Sequence, residues 1–158
     1  KEGYFITIYL AQTDYHRIHC PWDGEIIHSN HLGSSLYSVN KKAQESIPRL
    51  YIKNERSVLH IVSNSLEYAL VSVGASVVGS IVPFWIDNKD CSRKELVEEW
   101  KIGPPEDTKV KKGDELAYFR MGSTVILIFK DSDKIDLDSL KENKLVKFGN
   151  KLVSLKNI

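Results

Sequence analysis

Residues 119–129 read FRMGSTVILIF, and their second half is the most apolar short run in the 158-residue chain. The run from Val125 to Phe129 is rich in β-branched and aromatic side chains, which is typical of a strand buried on both faces. Gly122 precedes Ser123 where this strand begins. Because glycine has no Cβ, it either bends the backbone there or lets another group approach the peptide bond closely. The local pattern favours a bend, and the alternative makes Ser123 a nucleophile directed at its own backbone.

The composition limits the class of protein. Hydrophobic residues make up 42% of the chain, which indicates one globular domain over residues 1–158. The net charge is +1 with both signs interspersed, which argues against nucleic-acid binding.

Cys20 and Cys91 lack metal-ligand spacing, and two thiols are too few for a disulfide framework, so we expect a reducing compartment. No run approaches the roughly 20 apolar residues of a membrane span, and we expect no signal peptide. The chain lacks an initiator methionine, and we expect it to begin inside a longer natural sequence.

Strand patterns dominate the chain, and turns recur at short spacing without a βαβ rhythm. We therefore predict a mainly β single domain with minor α content, built as a two-sheet antiparallel sandwich or compact barrel. The predicted strands include residues 4–11, 25–28, 37–40, 57–63 and 66–73, extended segments on both sides of a Gly113-Asp114 turn, and a final hairpin around Gly149-Asn150. Short helices are predicted at residues 43–50, at 92–100 (with a strand as the alternative) and at 136–142, and residues 29–35 are predicted to form a loop.

His16 and His19 lie three residues apart in DYHRIH, residues 14–19. They fall on opposite faces of a strand but can converge in a turn. Three interpretations remain open. The pair could belong to a metal site, which needs three or four ligands; no third ligand is obvious, although His28 and His31 are nearby. The two imidazoles could bond only to backbone groups. One could act as a general base for a hydroxyl and the other as a proton donor to a substrate.

Two further patterns have both a structural and a functional interpretation. Gly74 and Ala75, with a second small-residue run at 78–81, lack the spacing of a dinucleotide fingerprint. They indicate either close sheet packing or close approach of a ligand. The triplet Asn54-Glu55-Arg56 is expected to form a solvated polar edge, unless Arg56 holds a phosphate or a carboxylate.

An ordered series of short motifs resembles the phosphatidylserine decarboxylase family. Each motif alone is weak, but their order is highly specific, and they extend from about residue 4 to residue 129 with a weaker similarity in the C-terminal strands. The motifs are IYLA (8–11), DYHRIH (14–19), PWDG (21–24), YSVN (37–40), IPRL (47–50), NER (54–56), VGA (73–75), VGSI (78–81), KGDEL (112–116) and MGSTV (121–125).

The resemblance implies an enzyme whose cofactor is a pyruvoyl group made from its own chain. Such proenzymes cut themselves at a Gly-Ser bond, here Gly122-Ser123, which would give residues 1–122 and residues 123–158. Ser123 would become the pyruvoyl group and form a Schiff base with the head-group amine of phosphatidylserine. The imine then acts as the electron sink for loss of carbon dioxide, which yields phosphatidylethanolamine.

The resemblance also implies roles for individual residues and a setting for the protein. His19 is expected to be the base for self-cleavage and His16 to serve decarboxylation as a proton donor, with no metal. Our candidate substrate-binding residues are Arg56, Tyr15, Gly74 and Ala75. The family further implies a homodimer attached peripherally to a membrane surface, at the cytoplasmic face in a bacterium or on an equivalent organelle membrane.

Several parts of the family pattern have no counterpart in this sequence. The aspartate that orients the base, and the N-terminal helices that sit on the membrane, lie upstream in the family. Smaller departures occur at Trp22, Ser57 and Ala117. Two alternatives therefore accompany the decarboxylase hypothesis: a non-catalytic homologue or uncleaved proenzyme that keeps the β scaffold and phospholipid site, and a β-sandwich carrier domain, suggested by the Lys-Gly-Asp turn.

Overall fold

The computed structural model describes residues 3–33, 35–76, 81–85, 108–120, 123–130, 134–137 and 140–156. Within these ranges the chain is mainly β, as predicted, and all paired strands are antiparallel. The strands are β1 (Tyr4–Leu10), β2 (Arg17–His19), β3 (Gly24–Leu32), β4 (Arg56–Val62), β5 (Glu67–Val73), β6 (Ile81–Pro83), β7 (Lys109–Val110), β8 (Glu115–Phe119), β9 (Ser123–Phe129), β10 (Ile135–Asp136) and β11 (Ser154–Leu155). The helices are α1 (Lys41–Ser46) and α2 (Leu50–Lys53).

β9 lies inside the larger sheet, whose strand order is β1-β9-β5-β4-β3-β7. It pairs with β1 along its whole length and with β5 from Thr124 onward. Val125, Leu127 and Phe129 point to one face and join the main core cluster. Ile126 points to the other face, where it packs on a second cluster that includes Leu50 of α2. The predicted burial on both faces holds for most of the strand, and the exception is Ile128, which is 44% exposed near its end.

A second sheet of three strands, in the order β2-β8-β6, covers the main core. Ile18, Leu116 and Phe119 from this sheet belong to the same buried cluster as Val125 and Leu127 of β9. The two short helices cover part of the opposite face of the large sheet. β1 and β7 are the ends of that sheet, so the arrangement is an open sandwich and the compact-barrel alternative is wrong.

Two predictions for residues 29–40 were wrong. The predicted loop at residues 29–35 is largely the second half of β3, which continues to Leu32. Ser29 and His31 are buried on the core face of that strand, and their polarity hid the alternation that marks a strand. The predicted strand at residues 37–40 is irregular chain, because Asn40 caps α1 through a hydrogen bond from the Ala43 N–H.

The C-terminal predictions were also wrong. Asp136, expected to begin a helix, belongs to β10, and the described residues between Leu140 and Glu142 are not helical. The expected hairpin around Gly149-Asn150 does not form, although the turn does. Instead Ser154 and Leu155 pair with β10. The helix or strand predicted at residues 92–100, the small-residue run at 78–80 and Gly122 lie outside the described residues.

Candidate active site

Ser123 begins β9, and its side chain is fully buried. It pairs with Leu10 of β1 and lies on the same face of the strand as Val125, so its side chain points toward the main core and the three-stranded sheet. Its hydroxyl oxygen has no hydrogen-bond partner among the described residues. Because an unpaired buried hydroxyl lowers stability, native structures keep few of them. The hydroxyl is therefore free to act on a group brought to it.

His19 is held through both ring nitrogens. Its Nδ1 lies 2.7 Å from the carbonyl oxygen of Gly113, and its Nε2 lies 2.7 Å from the hydroxyl of Tyr15. A carbonyl only accepts, so Nδ1 carries the proton and Nε2 accepts from the tyrosine. The imidazole also contacts the ring of Phe148, with 4.7 Å between the ring centroids. In the neutral tautomer that the Gly113 contact selects, Nε2 is the basic nitrogen, as a general base requires.

His16 occupies the other end of the small sheet. Its Nε2 lies 3.2 Å from the carbonyl oxygen of Gln12, to which it donates, and its Nδ1 is buried with no hydrogen-bond partner among the described residues. Its own carbonyl accepts from the N–H of Phe119, at 2.9 Å. Phe119 is the last residue of β8, four residues before Ser123 in the chain. Gln12 lies two residues after Leu10, which pairs with Ser123 in the sheet. His16 therefore contacts the segment that precedes Ser123 and the segment that follows its partner strand.

The two histidines lie beside opposite ends of β8. His19 pairs with Glu115 at the start of β8, whereas His16 contacts Phe119 at its end. Four residues of strand separate these positions by about 13 Å. The two imidazoles therefore belong to opposite ends of the small sheet, and neither is hydrogen-bonded to the Ser123 hydroxyl.

The four candidate substrate-binding residues fall into two places. Tyr15 lies against His19, whereas Gly74 and Ala75 follow β5 at the end near Ser123. Arg56 pairs with Val73, which pairs with Thr124, so Arg56 lies on the face of the large sheet opposite to Ser123.

The Arg56 guanidinium caps backbone groups in this structure. Its Nη1 donates to the carbonyls of Ile52 at 2.6 Å and Asn54 at 3.2 Å. Burial lowers the pKa of Arg56 from its usual range. Gly74 donates its N–H to the carbonyl of Glu55 at 2.8 Å, and a Cβ at this glycine would lie 3.4 Å from that oxygen. The group that approaches Gly74 closely in this structure is thus the backbone carbonyl of Glu55.

The expectation of a solvated edge at residues 54–56 was wrong for its first two members. Asn54 and Glu55 are fully buried. The Asn54 side chain accepts from the N–H of Tyr37 at 3.0 Å and donates to the carbonyls of Tyr37 at 2.8 Å and Gly74 at 2.9 Å. Every one of these bonds joins separate segments of the chain, so Asn54 fixes the position of the backbone that follows β5.

A buried polar row lies level with Val125, two residues after Ser123 in β9, and was missed by the sequence analysis. Ser72, Ser57 and His31 pair across β5, β4 and β3, so their side chains share the core face. His31 Nε2 lies 3.2 Å from a carboxylate oxygen of Glu55, and both side chains are almost completely buried. The alternation of Ser57, Leu59 and Ile61 in one strand was the available clue, since it places Ser57 on the inward face.

Among the described residues, no three His, Cys, Asp or Glu side chains are grouped so that they could hold a metal ion. The described helices, α1 and α2, are too short and polar to cross a membrane.

The model of one protein family matches almost the whole chain. It is the phosphatidylserine decarboxylase model, and it covers residues 1–154. The chain belongs to the phosphatidylserine decarboxylase family. Relatives named phosphatidylserine decarboxylase proenzyme include one from Methylobacillus flagellatus, 36% identical over 135 residues, which are 85% of this chain and 48% of the relative. Another, from Vibrio parahaemolyticus, is 39% identical over 145 residues, which are 90% of this chain and 50% of the relative.

A third phosphatidylserine decarboxylase proenzyme, from Hamiltonella defensa, is 39% identical over 147 residues, covering 90% of this chain and 50% of the relative. The chain thus spans about half the length of the curated relatives that it matches. Membership of the family therefore concerns the part of those relatives to which this chain corresponds.

Proposed function

We propose that this chain is the catalytic part of a phosphatidylserine decarboxylase, which releases carbon dioxide from phosphatidylserine and leaves phosphatidylethanolamine. The observation that carries the proposal is the Ser123 hydroxyl. It is buried, has no hydrogen-bond partner among the described residues, and stands at the first position of a strand whose MGSTV motif resembles the family's cut site. A serine kept there for packing alone would normally find a partner for its hydroxyl.

The proposed cut uses the Ser123 hydroxyl as a nucleophile against its own backbone. The oxygen attacks the carbonyl carbon of Gly122 while a base takes the hydroxyl proton, and the Gly122–Ser123 C–N bond then breaks to leave an ester. Loss of the Ser123 α-proton breaks the Cβ–O bond and releases residues 1–122 with a carboxylate terminus. The dehydroalanine left on residue 123 reacts with water to give a pyruvoyl group and ammonia, at the head of residues 123–158.

His19 is the proposed base for this cut, and its tautomer supports the role. The Gly113 carbonyl fixes the Nδ1 proton, as the carboxylate does for the histidine of a catalytic triad, and leaves Nε2 basic. In this structure Tyr15 occupies Nε2, so the tyrosine hydroxyl has to move away before the histidine accepts a proton. His16, which is hydrogen-bonded to Gln12 near the end of β1 and to Phe119 at the end of β8, is the rival base.

In the decarboxylation step, the pyruvoyl group would supply an electrophilic carbonyl that draws electrons from the substrate as carbon dioxide leaves. The residues of this chain bind and move protons around it. The Nδ1 of His16 is buried and has no hydrogen-bond partner among the described residues, so after it takes up a proton it can deliver that proton to the α-carbon of the product. We propose that Tyr15, Arg56, Gly74 and Ala75 contribute to phospholipid binding, and that the working protein is a homodimer on a membrane surface.

Replacing Ser123 tests the proposal. The purified protein should contain two pieces by mass spectrometry, ending at Gly122 and beginning with a pyruvoyl group at position 123. Ser123→Ala should give one intact chain and no decarboxylase activity, while Ser65→Ala, in an exposed turn, should be cut normally. An intact wild-type chain with an ordinary serine would instead support an uncleaved or non-catalytic family member.

The two histidine roles are separated by two further variants. His19→Ala should block the cut, because a serine hydroxyl without a base is a poor nucleophile. His16→Ala should be cut but decarboxylate at least a hundredfold more slowly, the usual scale of general acid–base catalysis. If His16→Ala alone stayed intact on a denaturing gel, the two roles would be reversed.

A further inference from the structure

The segment from Lys141 to Lys151 is exposed at every residue, and we call it the C-terminal loop. Three of its side chains are apolar, and they lie close together in sequence. Leu145 is 85% exposed, Val146 36% and Phe148 66%. A single exposed leucine needs no explanation, but a local group of large apolar side chains held in water commonly marks a surface that meets another apolar phase.

The charge of the C-terminal loop is strongly biased. Its lysines are Lys141, Lys144, Lys147 and Lys151, and Glu142 is its single acidic residue. Lys144 and Lys147 directly flank the apolar pair of Leu145 and Val146. Apolar side chains bordered by lysines are the pattern of segments that lie in the interface of an anionic bilayer. An acidic lipid head group is therefore the complementary surface.

The loop is also attached to the candidate active site. The Phe148 ring lies 4.8 Å from the ring of Tyr15 and 4.7 Å from that of His19, between centroids. Asn143 and Gly149 have positive φ angles of 58° and 80°, so the backbone turns sharply on each side of the apolar residues. Phe148 thus connects the loop to the imidazole that we propose as the base, and Leu145 and Val146 precede it in the same exposed loop.

We propose that the C-terminal loop docks the protein on a bilayer that contains anionic lipid. Leu145 and Val146 enter the interface, the flanking lysines contact acidic head groups, and Phe148 remains against Tyr15 and His19. This inference rests on the proposed function, since a phospholipid substrate has to reach the site from a bilayer. The inference adds to the proposed function by naming the surface of the protein that contacts the bilayer.

Vesicle binding tests the proposal. The purified protein is mixed with vesicles of phosphatidylcholine, with and without phosphatidylglycerol, and the bound fraction is measured by flotation. Binding should require phosphatidylglycerol and weaken as salt rises. Leu145→Ser should lower the partition coefficient at least tenfold, as expected for one buried leucine. Lys147→Gln should lower it about fivefold.

Matched controls lie on the helices. Ile52 of α2 is 54% exposed and Lys41 and Lys42 of α1 are exposed, so Ile52→Ser and Lys41→Gln with Lys42→Gln should bind as the wild type does. Equal binding by Leu145→Ser and the wild type would overturn the proposal. So would protection of Lys147 from acetylation in the absence of vesicles, because another segment of the protein would then cover the loop.

Failure of the docking proposal can be told apart from failure of the proposed function. Ser123→Ala should bind phosphatidylglycerol vesicles as the wild type does, although it cannot decarboxylate. Leu145→Ser should decarboxylate a monomeric short-chain phosphatidylserine at the wild-type rate and the vesicle-borne lipid at least tenfold more slowly. Vesicle binding without any decarboxylation would remove the proposed function and leave the docking surface.

Discussion

Ser123 is a small polar residue on a strand face where Val125, Leu127 and Phe129 are all buried apolar side chains. Packing alone favours an apolar residue there, since the serine hydroxyl is buried and no described residue is its hydrogen-bond partner. Local departures from packing rules concentrate at functional sites, where stability is given up for chemistry. The same argument applies less strongly to Thr124, whose buried hydroxyl is also unpartnered among the described residues.

Removal of the Ser123 hydroxyl should therefore not destabilise the fold. We expect Ser123→Ala to leave the free energy of unfolding unchanged or to raise it by up to about 1 kcal/mol, because an unsatisfied buried hydroxyl is lost. The comparison is made by urea denaturation against the wild-type chain before it is cut, so that both proteins are single polypeptides. A loss of more than about 1 kcal/mol would show that the hydroxyl has a stabilising partner in the folded protein.

The hydrogen bond from Tyr15 to His19 should restrain the proposed base. The tyrosine hydroxyl occupies the Nε2 lone pair, and a typical hydrogen bond of this kind contributes about 1 kcal/mol. Tyr15→Phe keeps the ring and releases the lone pair, so self-cleavage should accelerate about fivefold. The rate is followed on denaturing gels, with Tyr37→Phe, another exposed tyrosine, as control. Slower cutting in Tyr15→Phe would mean that the hydroxyl helps to position the imidazole.

Among the structural elements, β5 and β3 depend on buried polar contacts at the end nearest Ser123. Asn54 bonds to the backbone of Tyr37 and of Gly74, and Glu55 accepts from the Gly74 N–H through its carbonyl. These contacts connect the segment before β4 to the segment after β5. They replace the side-chain packing that the small residue Gly74 cannot provide.

Asn54→Ala should consequently weaken the fold strongly. It would leave the N–H and carbonyl of Tyr37 and the carbonyl of Gly74 without this side-chain partner, and we expect a loss of about 2–4 kcal/mol. Urea denaturation measures the loss. The exposed turn residue Asn64 provides the control, since Asn64→Ala should cost less than about 1 kcal/mol. A similar cost for both variants would contradict a structural role for Asn54.

Periodicity was sufficient for some elements and misleading for others. β4, β5 and β9 were predicted because their alternating or continuous apolar residues match their burial. β1 was predicted from a continuous apolar run, although Ile6 is its only buried residue. β3 was predicted too short because Ser29 and His31 occupy its core face, and only partners distant in sequence, such as Glu55, make that burial acceptable. The C-terminal hairpin failed because β11 pairs with β10 instead of a neighbouring strand.

At the scale of the whole molecule, the proposed cut lies at the start of β9, an internal strand of the large sheet. β9 pairs with β1 and β5, and Val125, Leu127 and Phe129 are buried in the main core. The family resemblance pointed to Ser123 as the reacting residue, but the sequence alone did not give the separation of His16 and His19. That separation depends on the register shift between Ile18 and His19 in the pairing of β2 with β8, which no local pattern predicts.

The two pieces should stay together after the cut. Burial of the three apolar side chains of β9 alone contributes roughly 5–9 kcal/mol. We expect residues 1–122 and 123–158 to elute as one species in size-exclusion chromatography and to separate only in concentrated guanidinium. Separation in plain buffer would show that the sheet opens when the bond is cut.

The position of β9 has a consequence for the order of events in the life of the protein. Its two partner strands come from the beginning and the middle of the chain, so inserting β9 between them closes long loops and completes the sheet. If Ser123 attacks only when this sheet has formed, the fraction of chains that are cut equals the fraction of molecules that have folded correctly. A misfolded molecule would then be left without the means to make its own cofactor, and maturation would serve as the protein's internal check on its conformation.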